Sequence, residues 1–146
     1  MIEIIPGTGL DMLHFGMTKS EVFEQLGFPN KSYLTASDCR EVQYFALKLV
    51  LKSESGNDNR LGWMEVHNRD SILLGRSPWL MPRDELVALL TRSLGEAPEL
   101  DDYNHFESLT FRDSWVELQF QLGELSCINF GVRYDDNDDP IWPVKA

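Results

Sequence analysis

Residues 16–29, GMTKSEVFEQLGFP, and residues 81–98, MPRDELVALLTRSLGEAP, write one structural phrase twice in a chain of 146 residues. With Met17 set against Met81, Glu21 meets Glu85, Val22 meets Leu86 and Leu26 meets Leu90. The second copy then carries four extra residues, about one helical turn, after which Leu26-Gly27 matches Leu94-Gly95 and Pro29 matches Pro98. Each copy spells a helix. Thr18 with Glu21 three places on makes a capping box; Pro82 fits a first helical turn, and Asp84 and Glu85 favour the positive end of the helix dipole. Val22, Phe23 and Leu26 form a one-sided apolar stripe, as do Leu86, Leu89, Leu90 and Leu94. Gly27 and Gly95 stop the two helices, and a proline follows each.

The segments behind the helices alternate with the period of strands. In WVELQFQL (115–122), Val116, Leu118, Phe120 and Leu122 point one way, and Trp115, Glu117, Gln119 and Gln121 the other. In the first half Phe45, Leu47, Leu49 and Leu51 form the matching inward set, with Lys48, Val50 and Lys52 outward. After a turn comes a further strand in each half, 60–68 and 124–132. Met64 and Val66 match Ile128 and Phe130 inward; Trp63, Glu65 and His67 match Cys127, Asn129 and Gly131 outward. Other strands are predicted near 40–44 and 106–111; residues 68–78 read as a link within the one domain, with a short strand at 72–74 as the alternative. The predicted fold is α+β: a single domain, 1–146, of two tandem helix–antiparallel-strand repeats, about 12–68 and 76–133. They form one continuous antiparallel sheet of six to eight strands, with both helices on one face and the other face open. An acidic C-terminal segment, 134–146, closes the chain.

The phrase at 16–29 resembles the opening helix of the helix-plus-sheet repeats of the β-lactamase-inhibitor-protein fold and the related outer-membrane small lipoprotein family. The likeness covers one short motif per half. It implies a concave sheet whose helix-free face grips a target protein, and it supplies no catalytic residue. This chain departs from those families in having no export signal, no lipobox cysteine and only two cysteines. By size and charge it is also similar to the immunity proteins of polymorphic, contact-delivered toxins.

Charge is the strong deviation in composition: 24 acidic residues against 13 basic, net −11, with a pI near 4.6. Such a surface repels nucleic acid and anionic membranes and attracts basic partners. Residues 74–146 hold 14 acidic and 6 basic side chains, so the surplus lies in the second half. The N-terminus, MIEIIPGTGLDML, has no basic start and no long apolar run, which predicts a cytoplasmic location. There Cys39 and Cys127 are expected to be free thiols.

No set of residues announces a reaction. His14, His67 and His105 lie far apart, and no HxxH, HExxH or CxxC occurs, so neither a metal nor a cofactor is expected. His105 with Asp102 and Glu107 is a conceivable acid–base group but reads as a polar loop. GTGLDMLHFG (7–16) lacks the lysine of a phosphate loop and reads as a turn. Asp135, Asn137 and Asp139 have the one-three-five spacing of a calcium loop, but Pro140 stands where its glycine belongs and Ala146 where its glutamate belongs. The expectation is therefore a non-enzymatic, intracellular protein-binding inhibitor, an immunity protein that neutralises a basic, nuclease-type toxin. The alternative is a structural or scaffold subunit that self-associates through its open sheet face, the chain being monomer or homodimer accordingly. The predicted partner-binding set is Trp63, Glu65, His67, Trp115, Glu117 and Gln119 on the outward face, with Asp101, Asp102, Asp135, Asp136, Asp138 and Asp139 as an acidic rim.

Overall fold

A computed structural model describes residues 2–36 and 38–143. Strands β1 (Glu3–Ile5) and β2 (Gly9–Leu10) precede helix α1 (Lys19–Leu26). Strands β3 (Lys31–Leu34), β4 (Cys39–Tyr44), β5 (Leu49–Glu54) and β6 (Arg60–Val66) follow it. After β7 (Ile72–Leu73) comes α2 (Arg83–Leu94), then β8 (Glu99–Asp102), β9 (Glu107–Phe111), β10 (Val116–Gln121) and β11 (Glu124–Gly131). The architecture is α+β. One antiparallel sheet of eight strands runs in the order β3-β4-β5-β6-β11-β10-β9-β8, and its centre is the β6–β11 ladder, which pairs Val66 with Ile128 and Trp63 with Gly131.

The alternation read from the sequence sets what the sheet buries. Met64, Val66, Phe111, Leu118, Ile128 and Phe130 are 0% exposed and form one hydrophobic cluster with Val22 of α1 and Leu86 and Leu90 of α2. Burying a side chain of this size stabilises the fold by roughly 1.5–3 kcal/mol. The capping box of α1 is made: Glu21 N–H donates to Thr18 Oγ1 (3.3 Å), and Thr18 N–H donates to Glu21 Oε1 (3.1 Å). Gly95 ends α2 in the left-handed region (φ 71°), where its N–H donates to the Thr91 carbonyl at 3.0 Å.

Several expectations need correction. Two tandem repeats in one continuous sheet is too simple a description. Strands β1, β2 and β7 form a second, three-stranded sheet in which β1 runs antiparallel to β2 and parallel to β7. The difference in helix length, eight residues against twelve, is by contrast the four-residue insertion read from the sequence. Phe45 is not inward: residues 45–48 form the β4–β5 turn, Lys48 takes φ +53°, and Phe45 is 54% exposed. Leu122 is not inward either. It and Gly123 (φ +51° and +81°) lie between the paired residues Gln121 and Glu124, the two positive-φ positions of a type I′ hairpin, so Leu122 projects into solvent. Edge strands β3 and β8 show no buried residue and gave no alternation to read. Pro82 stands at the N-cap of α2 and not inside its first turn. Residues 144–146 of the acidic segment lie outside the described residues.

Candidate functional site

The polar face of the sheet is not flat. A groove of about 600 Å³ opens on it, lined by side chains of β5, β6, β10 and β11 together with Trp115 and Tyr134. Its position follows from the register. On this face Val50, Glu65, Asn129, Glu117 and Thr110 lie side by side along one row, and Lys52, Trp63 and Gly131 along the next.

Three aromatic rings wall one side. Trp63 meets Trp115 edge-to-face (centroids 6.2 Å apart, 85°), and Trp115 meets Tyr134 at 6.4 Å and 71°. Each is held from behind. Trp63 lies across Gly131, where any Cβ would stand 2.5 Å from its Cε3, so the glycine makes the space the indole occupies. Trp115 takes φ +54° at the end of the β9–β10 turn, one residue before the strand in which it was expected. The carboxylate of Glu96 builds that turn by accepting from Asp113 N–H (3.0 Å), Ser114 N–H (2.9 Å) and the Ser114 hydroxyl (2.7 Å). Tyr134 accepts a hydrogen bond from Asn57 Nδ2 at 3.0 Å.

The floor is polar and wired. Lys52 Nζ lies 3.1 Å from Glu65 Oε1 and 3.6 Å from Glu41 Oε1, and His67 Nε2 is 4.0 Å from Glu65 Oε2. His67, and after it Lys52, hold the Glu65 carboxyl below its ordinary value against the opposing cost of burial. Burial alone would lower the pKa of Lys52; the hydrogen bond and charge of Glu65, with the charge of Glu41, outweigh it and hold the ammonium above its usual value. On the other side Glu117 accepts from Asn129 Nδ2 (2.9 Å), Gln119 Nε2 (3.2 Å) and the Ser108 hydroxyl. Cys127 is buried and donates to Gln119 Oε1 at 3.4 Å. Burial, then the charges of Glu65 and Glu117, push its thiol up to about 12, so it is no nucleophile at neutral pH. Cys39 is likewise free and buried.

Of the predicted set, Trp63, Glu65, Trp115, Glu117 and Gln119 all line the groove. His67 lies just past the end of β6, exposed, beside Glu65. The acidic rim does not gather there as one feature. Asp101 and Asp102 are on the edge strand β8, three strands from β11. Asp135, Asp136, Asp138 and Asp139 follow the groove residue Tyr134. Two of these carboxylates close turns: Asp102 Oδ1 accepts from Asn104 N–H, and Asp135 Oδ1 from Asn137 and Asp139 N–H at 2.9 and 3.0 Å. The group of His105, Asp102 and Glu107 is not assembled as an acid–base pair, because both oxygens of Glu107 accept from Arg83 (2.8 and 3.3 Å). Among the described residues no group of three or more His, Cys, Asp or Glu could hold a metal, and no helix is long and apolar enough to cross a membrane. Asn129, Lys52 and Tyr134 are groove residues that the predicted set left out. The alternation does place Asn129 and Lys52 on the outward face, whereas Tyr134 stands in an acidic run that hides it.

No family model matches this chain, and no curated protein matches it. Among solved structures, an extracellular protein containing an SCP domain from Bacillus anthracis str. Ames is similar in fold, with a TM-score of 0.54 and 9% identity. The similarity covers 93% of this chain, which spans half the length of that one (50%). At this identity the likeness concerns the fold alone.

Proposed function

We infer that this chain is an intracellular protein-binding inhibitor that seats on a basic partner through the polar face of its eight-stranded sheet, as the immunity protein of a toxin would. One observation carries the reading. A single groove brings Trp63, Trp115 and Tyr134 together with the carboxylates Glu65 and Glu117, in a chain of net charge −11. Large aromatic side chains supply contact area at low entropic cost, and desolvated acids beside them select a cationic partner. The loop of Asp135, Asp136, Asp138 and Asp139 beside Tyr134 adds long-range attraction that speeds encounter. In this reading the two helix-and-four-strand runs are related units whose helices back the binding face. Support for that comes from the joining of Val22, Leu86 and Leu90 in one cluster with the sheet.

The test is binding to, and inhibition of, the protein encoded next to this one, followed by titration in rising salt. Trp63→Ala and Glu117→Lys should each weaken the complex at least tenfold while leaving the free chain folded and monomeric. Binding as tight as the parent's in both variants removes the reading. A parent chain that is a homodimer, dissociated by the same two substitutions, replaces it with self-association through this face.

A further inference from the structure

Glu117 and Asn129 are direct partners in the β10–β11 ladder. Asn129 is 4% exposed; its Nδ2 donates to Glu117 Oε1, and its Oδ1 has no hydrogen-bond partner among the described residues. A buried acceptor left so costs the fold its desolvation without return. Turning the amide over gives no relief, because Oδ1 would then face the Glu117 carboxylate, acceptor against acceptor. Glu117 is held by the neutral donors Asn129, Gln119 and Ser108, and no ion pair reaches it among the described residues. Its neighbour across β11, Glu65, has Lys52. The groove thus sets an un-neutralised, half-buried carboxylate beside a buried acceptor that lacks a donor, with the indoles of Trp63 and Trp115 lining the same space.

We propose that this corner of the groove is a receptor for a guanidinium group, the side chain of an arginine that a partner inserts. The acceptors call for a cation with several donors: those to the Glu117 carboxylate on the groove surface, and one to Asn129 Oδ1, which the entering group reaches once the side chains covering it turn aside. Guanidinium carries five N–H donors in one plane and stacks on aromatic faces, while an ammonium is a compact, strongly hydrated charge that stacks poorly. A metal ion is not the fit, since the described residues offer no group of three ligands. The inference rests on the inhibitor reading for the source of the arginine, but the chemistry of the site does not depend on it.

The experiment titrates the purified chain with N-acetylarginine amide, N-acetyllysine amide and the neutral N-acetylcitrulline amide. It follows the Asn129 side-chain amide and the Trp63 and Trp115 indole N–H signals by NMR. The arginine probe should shift all three saturably, with the lysine probe at least about tenfold weaker and the citrulline probe without effect. Glu117→Gln, which keeps the shape of the side chain, should weaken the arginine probe at least about tenfold; a thermal melt verifies its fold. The comparison of the three probes on the parent chain needs no variant at all. Citrulline binding as well as arginine, lysine binding equally, or no saturable shift because water serves Asn129, each overturns the proposal. The two readings fail separately. An arginine probe that binds while the partner complex ignores Trp63→Ala and Glu117→Lys leaves the site and removes the inhibitor. A partner complex that needs both residues while the probe never binds does the reverse.

Discussion

Gly131→Ala tests whether the aromatic wall of the groove is built as described. The backbone of Gly131 is ordinary extended strand, so an alanine meets no torsional penalty, and the whole effect is one of space. The added Cβ would lie 2.5 Å from Trp63 Cε3 and 3.0 Å from Cζ3, with Gly62 O at 3.1 Å closing its other side. Two carbons settle at about 3.5–4.0 Å, so the indole must give way by roughly 1 Å. Overpacking of this kind costs about 1–3 kcal/mol, and the displaced ring also loses part of its edge-to-face contact with Trp115, worth about 0.5–1.5 kcal/mol. For a chain of this size the melting temperature should fall by about 3–10 °C. The assay is a double-mutant cycle on Gly131→Ala and Trp63→Leu, read by thermal unfolding and by near-ultraviolet circular dichroism of the Trp63–Trp115 pair. With Trp63 present the alanine should be costly and should change the aromatic spectrum; with the smaller leucine side chain in place of the indole, the alanine should cost nearly nothing. Additive costs would show that the clash lies elsewhere and that Gly131 does not make room for the indole.

Thr18→Ala removes a cap that accepts from Glu21 N–H, and should cost about 1 kcal/mol in urea unfolding with an unchanged slope, while Thr18→Ser keeps most of it; equal midpoints for all three would place the start of α1 elsewhere. The Glu65 carboxyl is held below its ordinary 4.5, first by His67 and then by Lys52. A depressed carboxylate stabilises the fold fully above that ordinary value and loses the contribution as the pH drops through its folded value. Glu65→Gln should therefore flatten the acid limb of the stability curve, and superimposable acid limbs would count against the network. Cys127, with its thiol pushed up to about 12, and buried Cys39 should both resist alkylation at pH 8 in the native protein and react together once it is denatured; modification of either in the folded chain by mass spectrometry would contradict their burial.

The core of the fold was legible because two periods govern it. The strict alternation of Val116, Leu118 and Phe120 names residues that the structure buries, and of the helix stripes Val22, Leu86 and Leu90 are buried while Phe23, Leu26 and Leu94 pack against the core partly exposed. What periodicity cannot see is where a strand stops. Leu122 continues the alternation by type, yet the type I′ turn needs a positive φ there and lifts it out of the sheet. Trp115 fails in the same way at the other end, since the turn built on Glu96 sets its backbone. Of the small sheet the sequence offered only β7, as the short strand at 72–74; β1 and β2, of three and two residues, are too short for any period to show.

For the groove, the sequence supplied the members of the face without its pairing. Asn129 and Glu117 are twelve residues apart and become direct neighbours only through the β10–β11 register. Composition pointed to the runs of aspartate because there the charges are consecutive. Exposed charges of that kind act at a range of about 8 Å at physiological salt and are screened beyond it, so they set the rate of approach more than the choice of partner. Asp102 and Asp135 are moreover engaged in closing their own turns. In the proposed reading the discriminating charge is Glu117. It is half buried, accepts from Ser108, Gln119 and Asn129, and lines the same groove as Trp63, Trp115 and Tyr134. Partial desolvation raises the strength of any pairing it makes, and equally the cost of presenting it with a neutral group. In the proposed reading a partner that carries its cation elsewhere gains nothing from the groove, and that dependence on position would make a generally acidic protein a selective one.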